Sequence, residues 1–258
     1  MEKHWKKGIF KKFAEFIFEI EAFFSRKWAF AAHKRLMIAQ WGLAPSPEFM
    51  DHHVDLYYQW ERYGIPYWLE RGIFGNLCLK GGDVLELSSG DGFNAKHFYS
   101  VKSKKVIACD FDPGAIATAK RKNKADNVEY LLRDIRYEMP NGKFDNVIWD
   151  AAIEHFTPEE INKIIVNIKG RLHKDGIVSG YTIVERDDGA LQNDQHEYEF
   201  KDMNDLLRFW KPHFKNVRVF ETVYDHETHA RHNLYFWASD GALPFSEEHP
   251  HSINYSRN

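Results

Sequence analysis

Cysteine is scarce. The 258-residue chain holds only Cys78 and Cys109, too few for a disulfide framework, and Cys109 falls in an apolar stretch read as a buried strand. Long hydrophobic runs are missing as well: nowhere do about 18 apolar residues follow one another, so no membrane span is expected. The start has no apolar h-region followed by a small-residue cleavage site, which makes a cytoplasmic location the expectation. Excess charge of one sign is absent too. A formal net charge of −3 and a pI near 6.5 give no global attraction to nucleic acid, and none is expected as a partner. Aromatic residues, by contrast, make up 16% of the chain and gather towards its two ends. The length suffices for a full α/β core with a small cap.

The stretch that organises the chain is Asp83–Phe93, DVLELSSGDGF. Val84, Leu85 and Leu87 form an apolar run short enough for a buried strand, with Glu86 near its end. Ser88, Ser89, Gly90, Asp91 and Gly92 follow, where the backbone turns sharply and a ligand approaches without Cβ interference. A helical pattern with Ala95, His97 and Phe98 comes next, then a second apolar strand, Val106–Cys109, ending in Asp110. Strand, Gly-rich turn, helix, strand, acid is the nucleotide-binding half of a doubly wound sheet, in which the second acid takes the ribose hydroxyls. GDGFNA fits G-x-G-x-x-G/A, the fingerprint of NAD(P)-dependent oxidoreductases. However, Glu86 and Asp91 line this turn with acceptors, which repel a diphosphate and suit a cofactor with a cationic end.

At VLELSSGDG the sequence resembles the class I S-adenosylmethionine-dependent methyltransferases, with Ser88 standing where their first motif usually has Gly. The resemblance implies a Rossmann-like, doubly wound, mostly parallel sheet with a C-terminal antiparallel hairpin strand. It also implies S-adenosylmethionine as cofactor. Its cofactor contacts carry over to Glu86, Ser88, Gly90 and Gly92, to Asp110 with Phe111, to Asp134 with Ile135, and to Asp150. Asp134 follows a third strand, Val128–Leu132, where the family's acid meets the adenine amino group and its neighbour flanks the ring. Phe144–Trp149 is a fourth strand with Asp150 at its end. The following AAIEHF resembles the family motif that lies beside the methyl group. Helix Pro158–Leu172 and strand Gly176–Thr182 complete the parallel part, joined by a turn at His173–Asp175. Asn216–Tyr224 and Asn233–Ala238 form the closing pair.

Outside this core, Ile9, Phe10, Phe13, Phe16, Ile17, Ile20, Phe23 and Phe24 recur at three- and four-residue steps, the pattern of an amphipathic helix. Lys6, Lys7, Lys11 and Lys12 give it a basic head. It reads either as a cap packed on the core or as a surface for peripheral membrane contact through residues 1–40. Met50–Arg71 reads as a helix ending before Pro66 and a short second one. It is rich in rings, and Tyr57 and Trp60 share a face; with Tyr181 they are the candidates for acceptor contact. The expected organisation is an N-terminal helical cap over 1–75, a methyltransferase core over 76–240 with a variable acceptor-site insert near 185–212, and a loosely ordered tail over 241–258.

Methyl transfer from a sulfonium is an in-line displacement, so the protein mainly aligns donor and acceptor. A hydroxyl acceptor also needs a base. His155, just after the fourth strand, is the first candidate, and His196 from the variable loop the second. His226, His229 and His232 fall at i, i+3 and i+6, a candidate metal spacing, but such an imidazole set suits transition metals, whereas related sugar-modifying enzymes use Mg²⁺ on oxygens. A solvated loop is the reading adopted, and no metal is expected. The expected acceptor is a small molecule or a glycan hydroxyl. The alternatives are a non-catalytic or membrane-peripheral binding protein on the same fold and, behind it, an NAD(P)-dependent oxidoreductase.

Overall fold

The computed structural model describes residues 2–41, 64, 67–225, 231–245 and 252–254. The chain divides into two compact units, Met1–Arg62 and Tyr63–Asn258. In the first, one helix, α1 (Glu2–Trp41), runs for 40 residues, about 60 Å at the α-helical rise. Its apolar stripe lies open: Phe10, Phe13, Phe16, Phe18, Phe23, Phe24 and Trp28 are each more than half exposed. Lys11 and Glu15 pair along its surface at 3.7 Å. Among the described residues, no helix is long and apolar enough to cross a membrane. Tyr57 and Trp60 lie outside the described residues.

The first helix of the second unit is α2 (Tyr67–Asn76). β1 (Asp83–Leu87) follows, then a π-helical turn at Ala95–Tyr99 running on as α3 (Ser100–Lys102). β2 is Lys105–Asp110 and α4 is Pro113–Lys122, the latter capped by Asp112, whose side chain accepts from Gly114 N. β3 (Val128–Leu132) and β4 (Phe144–Asp150) come next. A 3₁₀ turn at Ile153–His155 leads to α5 (Pro158–Arg171). Thr157 and Glu160 close the N-terminus of α5 as a reciprocal capping box, satisfying backbone N–H groups that a helix start leaves open. β5 (Leu172–Ile183), α6 (Met203–Trp210), β6 (Asn216–Tyr224), β7 (Arg231–Ser239) and the short β8 (Ser252–Asn254) complete the chain.

The strands form one sheet in the order β3-β2-β1-β4-β5-β7-β6-β8. Neighbours from β3 to β5 are parallel, and β7 runs antiparallel to both β5 and β6. The sheet is therefore the expected doubly wound type with its antiparallel strand near the C-terminus. Two local expectations change. The turn foreseen at His173–Asp175 lies inside β5, where the pairing with β4 shifts from Phe144↔Leu172 to Asn146↔Ile177. Part of the tail foreseen as loose is ordered, because Ser252–Asn254 pairs in parallel with Glu221–Val223 of β6.

Burial follows from this layering. The main core packs Leu85, Leu87, Val147, Trp149 and Val178 of the sheet against Ile161, Ile164, Ile165 and Ile168 of α5 and Phe209 and Trp210 of α6. The isoleucines recur at three- and four-residue steps, so one face of α5 meets the sheet. On the other face, Val84, Val106 and Ile148 pack with Tyr99, Ile116 and Ala119. Strands covered on both faces are buried without alternation, as β4 is from Asn146 to Asp150 around the apolar Val147–Trp149.

Candidate active site

The site lies across the carboxyl ends of β1, β2, β4 and β5. Leu87 pairs with Cys109 on one side and Trp149 on the other, so the segments leaving these strands start side by side. After β1 the chain turns through Ser88 at φ +54°, Gly90 at +54° and Gly92 at +73°. Ser88 holds the left-handed conformation usually left to glycine, which costs an L-residue about 1–2 kcal/mol. Its departure from the family motif therefore leaves the turn's backbone intact. At Gly92 an added Cβ would meet the Tyr130 ring at 2.5 Å, whereas at Gly90 it would point into open space, leaving room for a ligand against the backbone. Ala151, directly after β4, is the second non-glycine residue with positive φ, at +49°. Backbone strain of this kind concentrates at functional sites.

The Gly-rich turn is anchored to β2. Ser89 N donates to the Cys109 carbonyl at 2.9 Å, and Gly90 N donates to Asp110 Oδ2 at 2.9 Å. Asp112 N donates to the other Asp110 oxygen at 2.9 Å. Burial nonetheless holds the Asp110 carboxyl above its usual range, with those N–H groups opposing the shift. Glu86 is pushed further up. Burial is the largest cause, the nearby Asp150 and Asp91 carboxylates add to it, and the Arg71 guanidinium works against it. Glu86 Oε2 is buried without a hydrogen-bond partner, which is costly unless a ligand supplies a donor or a positive charge.

Arg71 is the buried cation of this acidic cluster. From α2 it donates to Asp150 Oδ2 through Nη2 at 2.5 Å and Nε at 3.0 Å, and Asn94 Nδ2 donates to the same oxygen at 3.1 Å. Its guanidinium lies over the Tyr181 ring, 4.9 Å from the centroid. The adjacent Glu70 accepts from Thr222 Oγ1 at 2.8 Å, from the Tyr235 hydroxyl at 2.5 Å and from the Tyr224 hydroxyl. These two charges fix α2 over the sheet, one at β4 and one at β6 and β7. Reading the sequence missed both: WLER was weighed for its rings, and partners 79 and 165 positions away leave no local trace. A consecutive acid and base on a short helix otherwise bound for the interior was the only available signal.

The remaining foreseen residues are placed as follows. Phe111 is 67% exposed just beyond Asp110. Asp134 is engaged by Arg136 through Nε at 3.0 Å and Nη2 at 2.6 Å; this partner draws its carboxyl below the usual range. Ile135 is buried in the main core. Tyr181 is 3% exposed, and its hydroxyl donates to Asn233 Oδ1 at 3.0 Å. β5 is buried along Gly176–Ile183, and Tyr181 supports Arg71 from below. His226 and His229 lie outside the described residues, and His232 is hydrogen-bonded to Glu221.

His155 and His196, far apart in sequence, come together with ring centroids 4.8 Å apart. His155 Nδ1 donates to the Gln195 carbonyl at 3.0 Å, and His196 Nδ1 lies 2.5 Å from Glu199 Oε1. The loop that carries His196 is joined to the turn that carries His155, because Glu197 N and Tyr198 N both donate to the Glu154 carbonyl, at 2.9 and 3.1 Å. The Glu154 side chain, buried, accepts from Thr182 Oγ1 of β5 at 3.0 Å.

A doubly wound sheet with a Gly-rich turn after β1, acids at the ends of β1, β2 and β4, and an antiparallel β7 defines the class I methyltransferase architecture. Residues 84–176 match the model of the methyltransferase domain family. Among curated proteins, the chain is 30% identical over 110 residues to a physcion biosynthesis cluster O-methyltransferase from Aspergillus chevalieri, a match covering 40% of this chain and 49% of that relative. The chain thus spans about half the length of that relative. Its fold is shared with DhpI, solved with S-adenosylhomocysteine, at TM-score 0.53 and 20% identity over 73% of this chain and 96% of DhpI. It is shared also with the N-methyltransferase NodS from Bradyrhizobium japonicum WM9, in complex with S-adenosylhomocysteine, at TM-score 0.55 and 15% identity over 71% and 92% of the two chains.

The residues present fit such a cofactor. Asp110 ends β2 beside the Gly-rich turn, where it would receive ribose hydroxyls, and Gly90 leaves open space beside the turn. The orphaned Glu86 oxygen and the surplus of carboxylates over Arg71 among the described residues suit a ligand that brings positive charge.

Proposed function

We propose that the protein transfers a methyl group from S-adenosylmethionine to a hydroxyl oxygen of a small-molecule acceptor. The observation that carries this reading is the His155–His196 pair, adjoining the acidic end of β4. Glu86, Ser88, Gly90, Gly92, Asp110 and Phe111 would hold the cofactor, with Asp134 and Ile135 on its adenine side. When bound, S-adenosylmethionine supplies an electrophilic methyl group on a sulfonium.

The protein's own residues supply alignment and proton handling. Because a carbonyl oxygen only accepts, the hydrogen bond to Gln195 keeps the proton of neutral His155 on Nδ1 and leaves the Nε2 lone pair available. His155 is half-buried and open enough to meet an acceptor, so it is assigned as the base that takes the hydroxyl proton. His196, buried and tied to Glu199, orients and backs it. The Arg71–Asp150 pair fixes the end of β4, five residues before His155 in the chain. The relative named as an O-methyltransferase supports oxygen as the receiving atom.

The test is transfer of labelled methyl to a panel of phenols, sugars and amines. Phenolic or sugar hydroxyls are expected to accept, and His155→Ala is expected to lower turnover about a hundredfold with cofactor binding unchanged. Unchanged turnover, or acceptance by amines alone, would overturn the assignment.

A further inference from the structure

Glu154, His155 and His196 each offer one potential ligand atom, and these atoms all lie within 4.8 Å of one another. We propose that they form a binding site for one divalent transition-metal ion, of the Zn²⁺ or Co²⁺ kind, through the two imidazoles and the Glu154 carboxylate.

The chemistry of the set favours this ion class. Two imidazole nitrogens and one carboxylate suit zinc and its neighbours, whereas Mg²⁺ and Ca²⁺ prefer oxygen alone. Each ligand is also held from behind, as metal ligands usually are. His155 Nδ1 donates to the Gln195 carbonyl and His196 Nδ1 to Glu199 Oε1, so both free lone pairs are on Nε2. Thr182 Oγ1 donates to Glu154 Oε2. Glu199 is itself steadied by Gln192 N, which donates to Oε1 at 2.7 Å. Glu154 and His196 are buried, and neither Nε2 has a hydrogen-bond partner among the described residues. The two backbone bonds from the 195–199 loop to Glu154 hold both ligand-bearing segments together before any ion arrives.

Bonds of about 2.1 Å in tetrahedral array put ligand atoms about 3.4 Å apart. Filling the site therefore needs a closure of about 1.4 Å at most. Three protein ligands leave one position open, the pattern of a catalytic rather than a structural site. An acceptor hydroxyl in that position would lose its proton to solvent more readily, its lone pair remaining on oxygen. In the loaded state His155 Nε2 is a ligand and no longer a proton acceptor, so metal content decides which of the two groups activates the hydroxyl.

The experiment is titration of the metal-stripped full chain with Zn²⁺ by calorimetry and with Co²⁺ by visible absorption, in the absence of cofactor and acceptor. Its outcome is thus separate from that of the methyl-transfer assay. One equivalent is expected to bind, with the intense visible bands of low-coordinate Co²⁺. Affinity is expected to fall at least tenfold in His155→Gln, in His196→Gln and in the supporting variant Glu199→Gln. His155 is half-buried, so its variant tests the site even where substitution at buried His196 disturbs folding, which circular dichroism would report. Absence of saturable binding would overturn the proposal. So would binding that survives all three substitutions and disappears on replacing His226 and His229.

Discussion

Replacing Arg71 by Met would remove a positive charge from the most acidic part of the interior while keeping most of the side chain's apolar volume. The Arg71 and Asp150 side chains are only 8% and 7% exposed. Without the guanidinium, Asp150 Oδ2 would keep the Asn94 amide as donor, with the Glu86 carboxyl nearby. Breaking a buried pair from one side costs about 3–5 kcal/mol, because the other charge is left uncompensated. At about 2–4 °C per kcal/mol for a unit of this size, Tm should fall by roughly 10 °C. The double variant Arg71→Met/Asp150→Asn removes both charges, and most of that loss should return, since neutral replacement of a buried pair is often tolerated. The assay is denaturant unfolding of wild type, both single variants and the double variant as a cycle. A cost below about 1 kcal/mol for Arg71→Met, or simple additivity in the cycle, would refute the reasoning that this pair anchors α2 to β4.

Ser88→Gly should keep stability or raise it by up to about 1 kcal/mol, since relief of left-handed strain is partly offset by glycine's greater freedom when unfolded. Ser88→Val should lower both stability and cofactor affinity; equal tolerance of the two, by thermal unfolding, would contradict a functional turn at φ +54°. Glu86 predicts a pH dependence of the cofactor-free protein. Its carboxyl is held well above the ordinary value of 4.5 in the fold, so the native state binds the extra proton. The associated stability is complete below the unfolded value and is lost as pH rises towards the folded one. Tm of the wild type should therefore fall more steeply above pH ~5 than that of Glu86→Gln. Parallel pH profiles would remove Glu86 from the account.

The strand ends were legible because each acid lies at or just after its own apolar run: Glu86, Asp110, Asp134 and Asp150 are local features, and the sheet's topology sets their strands side by side in the order β3-β2-β1-β4. The closing β6–β7 pair was legible for the same reason. What escaped are pairings between distant segments. Arg71 with Asp150, Glu70 with three hydroxyls of β6 and β7, and His196 with Glu199 against the turn at Glu154 depend on which loop folds over which strand, and periodicity carries nothing about that. The packing of Tyr181 beneath Arg71 was not legible, because a strand buried on both faces gives no alternation by which to tell a cavity-lining ring from a packed one. The strand at Ser252–Asn254 escaped because a three-residue edge partner has no hydrophobic pattern of its own.

The central claim is that the acidic, Gly-rich end of β1 and β2 receives S-adenosylmethionine and not a dinucleotide. The most direct measurement is calorimetric titration of the protein with S-adenosylmethionine, S-adenosylhomocysteine and NAD⁺, repeated on Asp110→Asn. The account predicts micromolar binding of the first two, no binding of NAD⁺, and loss of at least tenfold in affinity in the variant. Binding of NAD⁺ in preference to S-adenosylmethionine, or affinity for the latter untouched by Asp110→Asn, would contradict it.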